Sequence, residues 1–456
     1  MNIRKIIEEG ESETLEFKEK FERETIETAV AFSNSKGGMI LIGISDKGEV
    51  KGVSVGKGTL KEWINKIFQS TEPTLITDAG IHEIEDRTIV AIIVEESPIK
   101  PISYKGACYL RIENSNGKLT PKEVAELYLQ TIGSSWDSYS ARDGGLEDMD
   151  LEKVKEYIKF ANESGRRKIK EKPLEVLKKL ELIKYNKPTW ATILLFGKEP
   201  QGFISQAKVH CGRFKDETTI VNDEMVGGSL FEQIEKVMDF IKKSIGVKFV
   251  ITGKPRREEI WEYPLDALRE AVINAVVHRD YTEPSETQVR VYDDKLIVWN
   301  SGKLPLGITL EDLFKPHKSV LRNKLIAQVF YDVGFIEQWG TGIRRMIDSC
   351  SKQGLPEPKF EEYQGFRVIF SKFYIPEDVE KELNERQRGL IEVIKKKGEV
   401  ALNDYKKLFP NFAERTLRND LEDLVKHGVL TPRGERKGRR YILAAISAKY
   451  RQNIGK

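Results

Sequence analysis

The stretch Pro264 to Tyr281, PLDALREAVINAVVHRDY, decides the fold. Its proline suits the start of a helix, and Leu265, Leu268, Val272, Ala275 and Val276 then recur at helical spacing along one side. Glu270, Asn274 and His278 stand at i, i+4 and i+8 on another side, so a carboxylate, a carboxamide and an imidazole share one face. An Asn oxygen suits a hard Mg²⁺ carried by phosphates, and a Glu one turn earlier can orient or deprotonate an attacking water. Taken alone, such a stripe is also the ordinary wet face of an amphipathic helix.

Two further stretches give it a context. NSGKLPLGIT (300–309) follows the strand-like KLIVWN, and EQWGTGIRRM (337–346) sets Gly340 and Gly342 before a helix. The free N–H groups and positive dipole end of such a helix suit phosphate oxygens. The order E-x-x-x-N, N-x-G, G-x-G resembles the N, G1 and G2 boxes of the GHKL superfamily, whose Bergerat fold is an α/β sandwich that binds ATP. The wording EAVINAVVHRDY, NSGKLPLGIT and QWGTGIRRM resembles the divergent branch found beside Schlafen-type domains in transcriptional regulators. The resemblance implies a water-activating Glu270, an Asn274 that ligates Mg²⁺, and a nucleotide pocket built from Asn274, His278, Asn300, Gly302, Lys318, Gly340 and Gly342. Lys315, His317 and Lys318 fall in the lid between the last two boxes. Asn300 stands where the superfamily usually has an Asp that accepts from the adenine amino group; an amide oxygen can accept the same bond. ATP binding is therefore expected, and hydrolysis is left open.

Upstream, TLEFKEKF alternates as a strand, sending Leu15 and Phe17 to one face and Glu16 and Lys18 to the other. ETIETAVAFSNSKGG reads as a helix closed by glycine, MILIGIS, RTIVAIIVEES and ACYLRIEN as strands, and TPKEVAELYLQ as a helix. Glu11 and Asp46 are placed to approach Glu16, and clustered acids of this kind attract Mg²⁺ or Mn²⁺, which activates water for phosphodiester attack. GESETLEFK, AFSNSKGG and IGISDKGEVKGV resemble the Schlafen core, related to AlbA-like nucleic-acid-binding folds. That resemblance implies that Glu11, Glu16 and Asp46 are the catalytic, metal-holding acids of the nuclease members and that Lys18 contacts phosphate. Nucleic-acid binding without cleavage remains the alternative.

After a linker around SSWDSYSARDGGLEDMD (134–150), LEKVKEYIKFA reads as a helix and TWATILLFG as a strand. At the far end, LNERQRGLIEVIKKKG, ALNDYKKLF and AERTLRNDLEDLVKHGVL form a three-helix pattern before a basic hairpin, TPRGERKGRRYIL, and predict a winged helix-turn-helix. Leu417, Leu421, Leu424 and Val425 make its core stripe. Arg415 and Arg418 are left for a DNA groove, and Arg433, Arg436, Lys437, Arg439 and Arg440 for phosphates.

The expected architecture is an α/β (α+β) multidomain chain: a Schlafen AlbA-like domain over 1–135, a linker and Bergerat-type domain over 136–376, and a winged helix over 377–456. Composition permits this, since 456 residues exceed one core, and 39% hydrophobic with 32% charged residues is neither disordered nor membrane-like. The acidic turn in MNIRKIIEEGE argues against a signal peptide and for the cytoplasm. Three dispersed cysteines, Cys108, Cys211 and Cys350, support neither a disulfide framework nor a zinc site. With 75 basic and 72 acidic side chains, whole-chain charge identifies no partner, so local clusters must. The sequence thus predicts a regulator in which ATP with Mg²⁺ controls engagement of nucleic acid, DNA before RNA, by a homodimer. The alternative is a metal-dependent nuclease of Schlafen type gated by ATP.

Overall fold

A computed structural model describes residues 3–250, 258–315, 320–337, 340–373, 375, 377–434 and 438–444. Two compact units emerge, one of residues 1–136 with 305–308 and one of residues 137–304 with 309–456. The chain is a mixed α/β multidomain protein. No helix among the described residues is long and apolar enough to cross a membrane.

The first unit is built on a four-stranded sheet in the order Leu15–Lys18, Gly38–Ile42, Arg87–Val94, Asp78–Ile84. Only the first pair is parallel, because the helix Arg23–Asn34 carries the chain back across the sheet. That helix buries Ile26, Ala29, Val30, Ala31 and Phe32 against Ile40, Ile42, Val90 and Ile92. Leu15, Phe17, Leu41, Ile44, Ile89 and Ala91 form a second core with Ile3. Gly37, at φ +76, ends the helix by donating to the Phe32 carbonyl at 2.9 Å, the glycine closure expected. Asn34 is buried and stitches the helix end to the neighbouring strand layer, donating to the Ile102 and Tyr109 carbonyls and accepting from the Ile102 N–H.

In the second unit a six-stranded sheet runs Ile220–Val226, Val209–Phe214, Thr287–Val291, Lys295–Asn300, Phe366–Ser371, Lys359–Glu362. The helices Leu230–Ser244 and Leu265–Val277 pack on it and on each other. The edge strand Ile220–Val226 is exposed from Ile220 through Met225, on both of its faces.

One element differs from expectation. TWATILLFG forms the helix Trp190–Phe196, whose N-cap Thr189 accepts from the Thr192 N–H. Ala191 through Phe196 are all buried, so the run carries no helical or strand periodicity, and a Thr cap is what separates the two readings.

The C-terminal part of this unit has its own core. Helices Glu385–Lys397, Leu402–Leu408 and Glu414–Lys426 surround Leu390, Ile394, Leu417, Leu421 and Leu424, beside a three-stranded sheet of Val400–Ala401, Arg440–Leu443 and Leu430–Arg433. Val425 is half-buried at the rim of that core.

Candidate functional site

The helix Leu265–Val277 buries Ala267, Leu268, Ala271, Val272, Ile273 and Ala275 to Val277, which leaves Glu270, Asn274 and His278 as its half-buried polar face. Asn274 Nδ2 donates to Glu270 Oε1 at 3.3 Å. The last carbonyls of a helix need outside donors. Here buried Asn323 donates through Nδ2 to the Val277 and Arg279 carbonyls, both at 2.8 Å, and the Tyr281 hydroxyl donates to Val276 at 3.0 Å. Arg279 is itself buried and donates to the carbonyls of Lys208, at 3.1 Å, Ser285, at 2.9 Å, and Gln206. Arg279 and Tyr281 of the quoted stretch are therefore scaffolding that fixes the polar face.

Two glycine loops close on this helix. At its C-terminal end a Cβ on Gly302 would lie 1.9 Å from the His278 carbonyl oxygen, so the loop passes where only glycine fits. Asn300, buried below Gly302, accepts the Gly302 N–H on Oδ1 at 2.8 Å. The oxygen expected to receive adenine thus already closes its own turn and has one lone pair left. Toward the other end, a Cβ on Gly342 would lie 2.0 Å from Glu270 Oε1. The carboxylate stands against the start of the helix Gly342–Lys352, which follows Gly340 at φ +64.

Arg345, one turn into that helix, reaches Glu270 Oε2 at 3.0 Å and Glu337 Oε1 at 3.8 Å. Burial raises the Glu270 carboxyl above its ordinary value, and Arg345 and Asn274 oppose the rise. His278 is pushed down to about 4 by burial, with the Arg322 charge adding to the effect. Beside Glu270 a groove of about 440 Å³ is lined by Asp266, Arg269, Phe335, Arg345, Asp348 and Lys352 among others. Lys315 is exposed near Glu311 and Asp312, whereas His317 and Lys318 lie outside the described residues.

The three acids of the first unit differ in their surroundings. Glu16 and Lys18 do share a face and pair with each other, but Glu16 Oε2 is also taken by Arg111 Nη2 at 2.7 Å. Arg111 is fully buried and donates further to the Ser12 and Leu15 carbonyls and to Asn116 Oδ1. Glu11 accepts the Phe17 N–H, and Asp46 is exposed in a turn. Among the described residues no three His, Cys, Asp or Glu side chains are grouped to hold a metal ion. Glu16 has a counter-charge within the chain, an arginine 95 positions away.

The C-terminal basic residues divide in two. Arg415, Arg433 and Arg439 are exposed, while Arg418 pairs with Glu414 at 2.8 Å and Arg440 with Glu399 at 2.7 Å. Arg436 and Lys437 lie outside the described residues. Behind this surface Asp420, 7% exposed, gathers Arg386, the Tyr405 hydroxyl and Asn384 and so ties all three helices.

Sequence reasoning passed over Arg345, Asn323, Arg111 and the Arg386–Asp420 pair. Only Arg345 carried a local signal, three positions beyond Gly342 on the same helix. The three cysteines are buried and their thiols are pushed up by desolvation, as inert cysteines should be.

Residues 11–120 match the family model Schlafen, AlbA_2. Residues 285–370 match HATPase_c_4, described as "Putative ATP-dependent DNA helicase recG C-terminal". Comparison with curated proteins gives no match. Among solved structures, the DIP2311 protein of Corynebacterium diphtheriae is similar at 17% identity and a TM-score of 0.44, over 95% of this chain and 92% of that one. The N-terminal domain of a RecG-related protein from Nitrosomonas europaea is similar at 19% identity and a TM-score of 0.21, over 26% of this chain and 94% of that one. Both likenesses are too loose to bear on function.

Proposed function

We propose that this chain is an ATP-binding regulator that engages nucleic acid, DNA before RNA, under the control of the nucleotide. One observation carries the reading: two glycine segments close on a single helix, Gly302 where a Cβ would strike the His278 carbonyl oxygen and Gly342 where it would displace the Glu270 carboxylate, and the polar stripe Glu270, Asn274, His278 runs between them. Nothing in an isolated wet helix face calls for that arrangement, whereas a triphosphate lying along the stripe does. Asn274 directs Nδ2 to Glu270, which leaves Oδ1 as the hard oxygen for Mg²⁺. The cation would shield the phosphates. Glu270, made more basic by burial, is the group to orient or deprotonate water.

The output runs through the chain on either side. Pro305–Ile308, two residues beyond the Asn300–Gly302 loop, belongs to the first unit. Lys395, on the first C-terminal helix, pairs at 3.2 Å with Asp294 in the turn before the strand Lys295–Asn300. The exposed Arg415, Arg433 and Arg439 are the DNA contacts of a winged-helix reading, and pairing of GHKL-type modules adds a homodimer to it.

The test is titration of the full chain with a fluorescent ATP analogue and Mg²⁺, followed by anisotropy of labelled duplex DNA with and without nucleotide. Asn274→Ala is expected to weaken Mg²⁺-dependent binding by about tenfold or more and to uncouple DNA affinity from nucleotide. Unchanged affinity and unchanged Mg²⁺ dependence in that variant sink the reading.

A further inference from the structure

Resting on that nucleotide reading, we propose that Arg345 is the charge-balancing and positioning residue of the site: by bridging Glu270 and Glu337 it neutralises the carboxylate that would otherwise repel a polyphosphate from the start of the Gly342–Lys352 helix. Glu270 Oε1 occupies the place a Cβ of Gly342 would take, so a negative charge of the protein stands where phosphate oxygens approach. Glu337 lies within reach of the same guanidinium. Without Arg345 the entrance would present an uncompensated Glu270 carboxylate to a polyphosphate, Glu337 keeping only Arg166.

Glu337 cannot simply turn away. Arg166 holds it at 2.7 Å, while its other nitrogen donates to the Tyr331 carbonyl at 3.1 Å and its guanidinium lies 4.8 Å from the centre of the Tyr331 ring. The charges therefore alternate along Arg166, Glu337, Arg345 and Glu270, with the first two members fixed by the backbone turn. Arg345 differs from them. Its side chain is 49% exposed and lines the groove beside Glu270, so the guanidinium has room to lean from carboxylate to phosphate without unpacking anything. A pair whose arginine is half in water is partly screened, so the arrangement is better explained by what it does to an incoming anion.

The experiment compares binding of Mg²⁺-ATP and of adenosine to the full chain by calorimetry, for wild type, R345M, R345K, E270Q and the double variant R345M/E270Q. R345M is expected to weaken Mg²⁺-ATP by about tenfold and to leave adenosine within about twofold, because only the phosphates feel the uncovered carboxylate. R345K should keep most of the affinity, and E270Q should restore it in the double variant by removing the charge Arg345 balanced. Equal loss of ATP and adenosine marks a structural role and overturns the proposal, as does a double variant no better than R345M. If wild type binds ATP and R345M binds it equally well, this proposal alone falls. If wild type binds neither ligand, the nucleotide reading falls and takes this proposal with it.

Discussion

Two arginine–glutamate pairs in this chain use the same chemistry in opposite ways. Arg111 and Glu16 have side chains 0% and 7% exposed, and Arg111 also donates to two carbonyls and an asparagine. Arg345 and Glu270 are 49% and 12% exposed, and the arginine has only carboxylates for partners among the bonds described. A pair out of water, with one guanidinium nitrogen on backbone carbonyls and another on Asn116, holds one geometry because any departure leaves a bare charge in a low dielectric. A pair with one solvated member can be broken and remade at little cost. The first is held in place by its surroundings, and the second is the one that can rearrange.

The comparison can be broken most severely at Arg111. Arg111→Met should destabilise the first unit by about 3–5 kcal/mol, since it strands Glu16 without its main counter-ion. Amide exchange in the strand Gly38–Ile42 reads this locally, and unchanged protection would remove the distinction between the pairs. Next in size is Gly302→Ala, whose methyl meets the backbone oxygen of His278 and is expected to cost about 3 kcal/mol in chemical denaturation. Gly342→Ala meets only the mobile end of Glu270 and should cost less than about 1 kcal/mol while loosening the Arg345 bridge. If the two alanines cost the same, the Gly302 contact is softer than described. Arg345→Met itself should change stability by less than about 1 kcal/mol, so a large drop in melting temperature would make it a second Arg111.

Smallest of all, Arg418→Met removes a pair with Glu414 that is exposed on both sides and should stay within about 0.5 kcal/mol. On the same surface Arg439→Ala should leave stability alone and lower the salt slope of DNA binding by about 1, and an unaltered slope would take that residue off the interface.

Much of this was legible in the sequence because it is local. The apolar period of Leu265–Val277, the core leucines Leu417, Leu421 and Leu424, the shared face of Glu16 and Lys18, and the glycine that ends the helix Arg23–Asn34 all depend on residues within a few turns of one another. What was illegible is long-range. Arg111 reaches Glu16 across the first unit, Asn323 caps a helix 46 positions upstream, and Arg386 finds Asp420 34 positions on. The run Ala191–Phe196 failed for another reason: buried on every side, it had no pattern to read. The candidate site sits between these cases. Its carboxylate and carboxamide were visible as a stripe, but the arginine that governs the carboxylate enters from a different helix.

The edge strand Ile220–Val226 ends the central sheet with seven residues, six of them exposed, and such an edge ordinarily invites a second chain to add on. In the antiparallel register that would pair all seven, however, Asp223 meets its own copy and Glu224 faces Asn222. Two carboxylates directly across a strand pair repel, with only His210 on the neighbouring strand to offset each, so strand-on-like-strand growth is disfavoured at its midpoint.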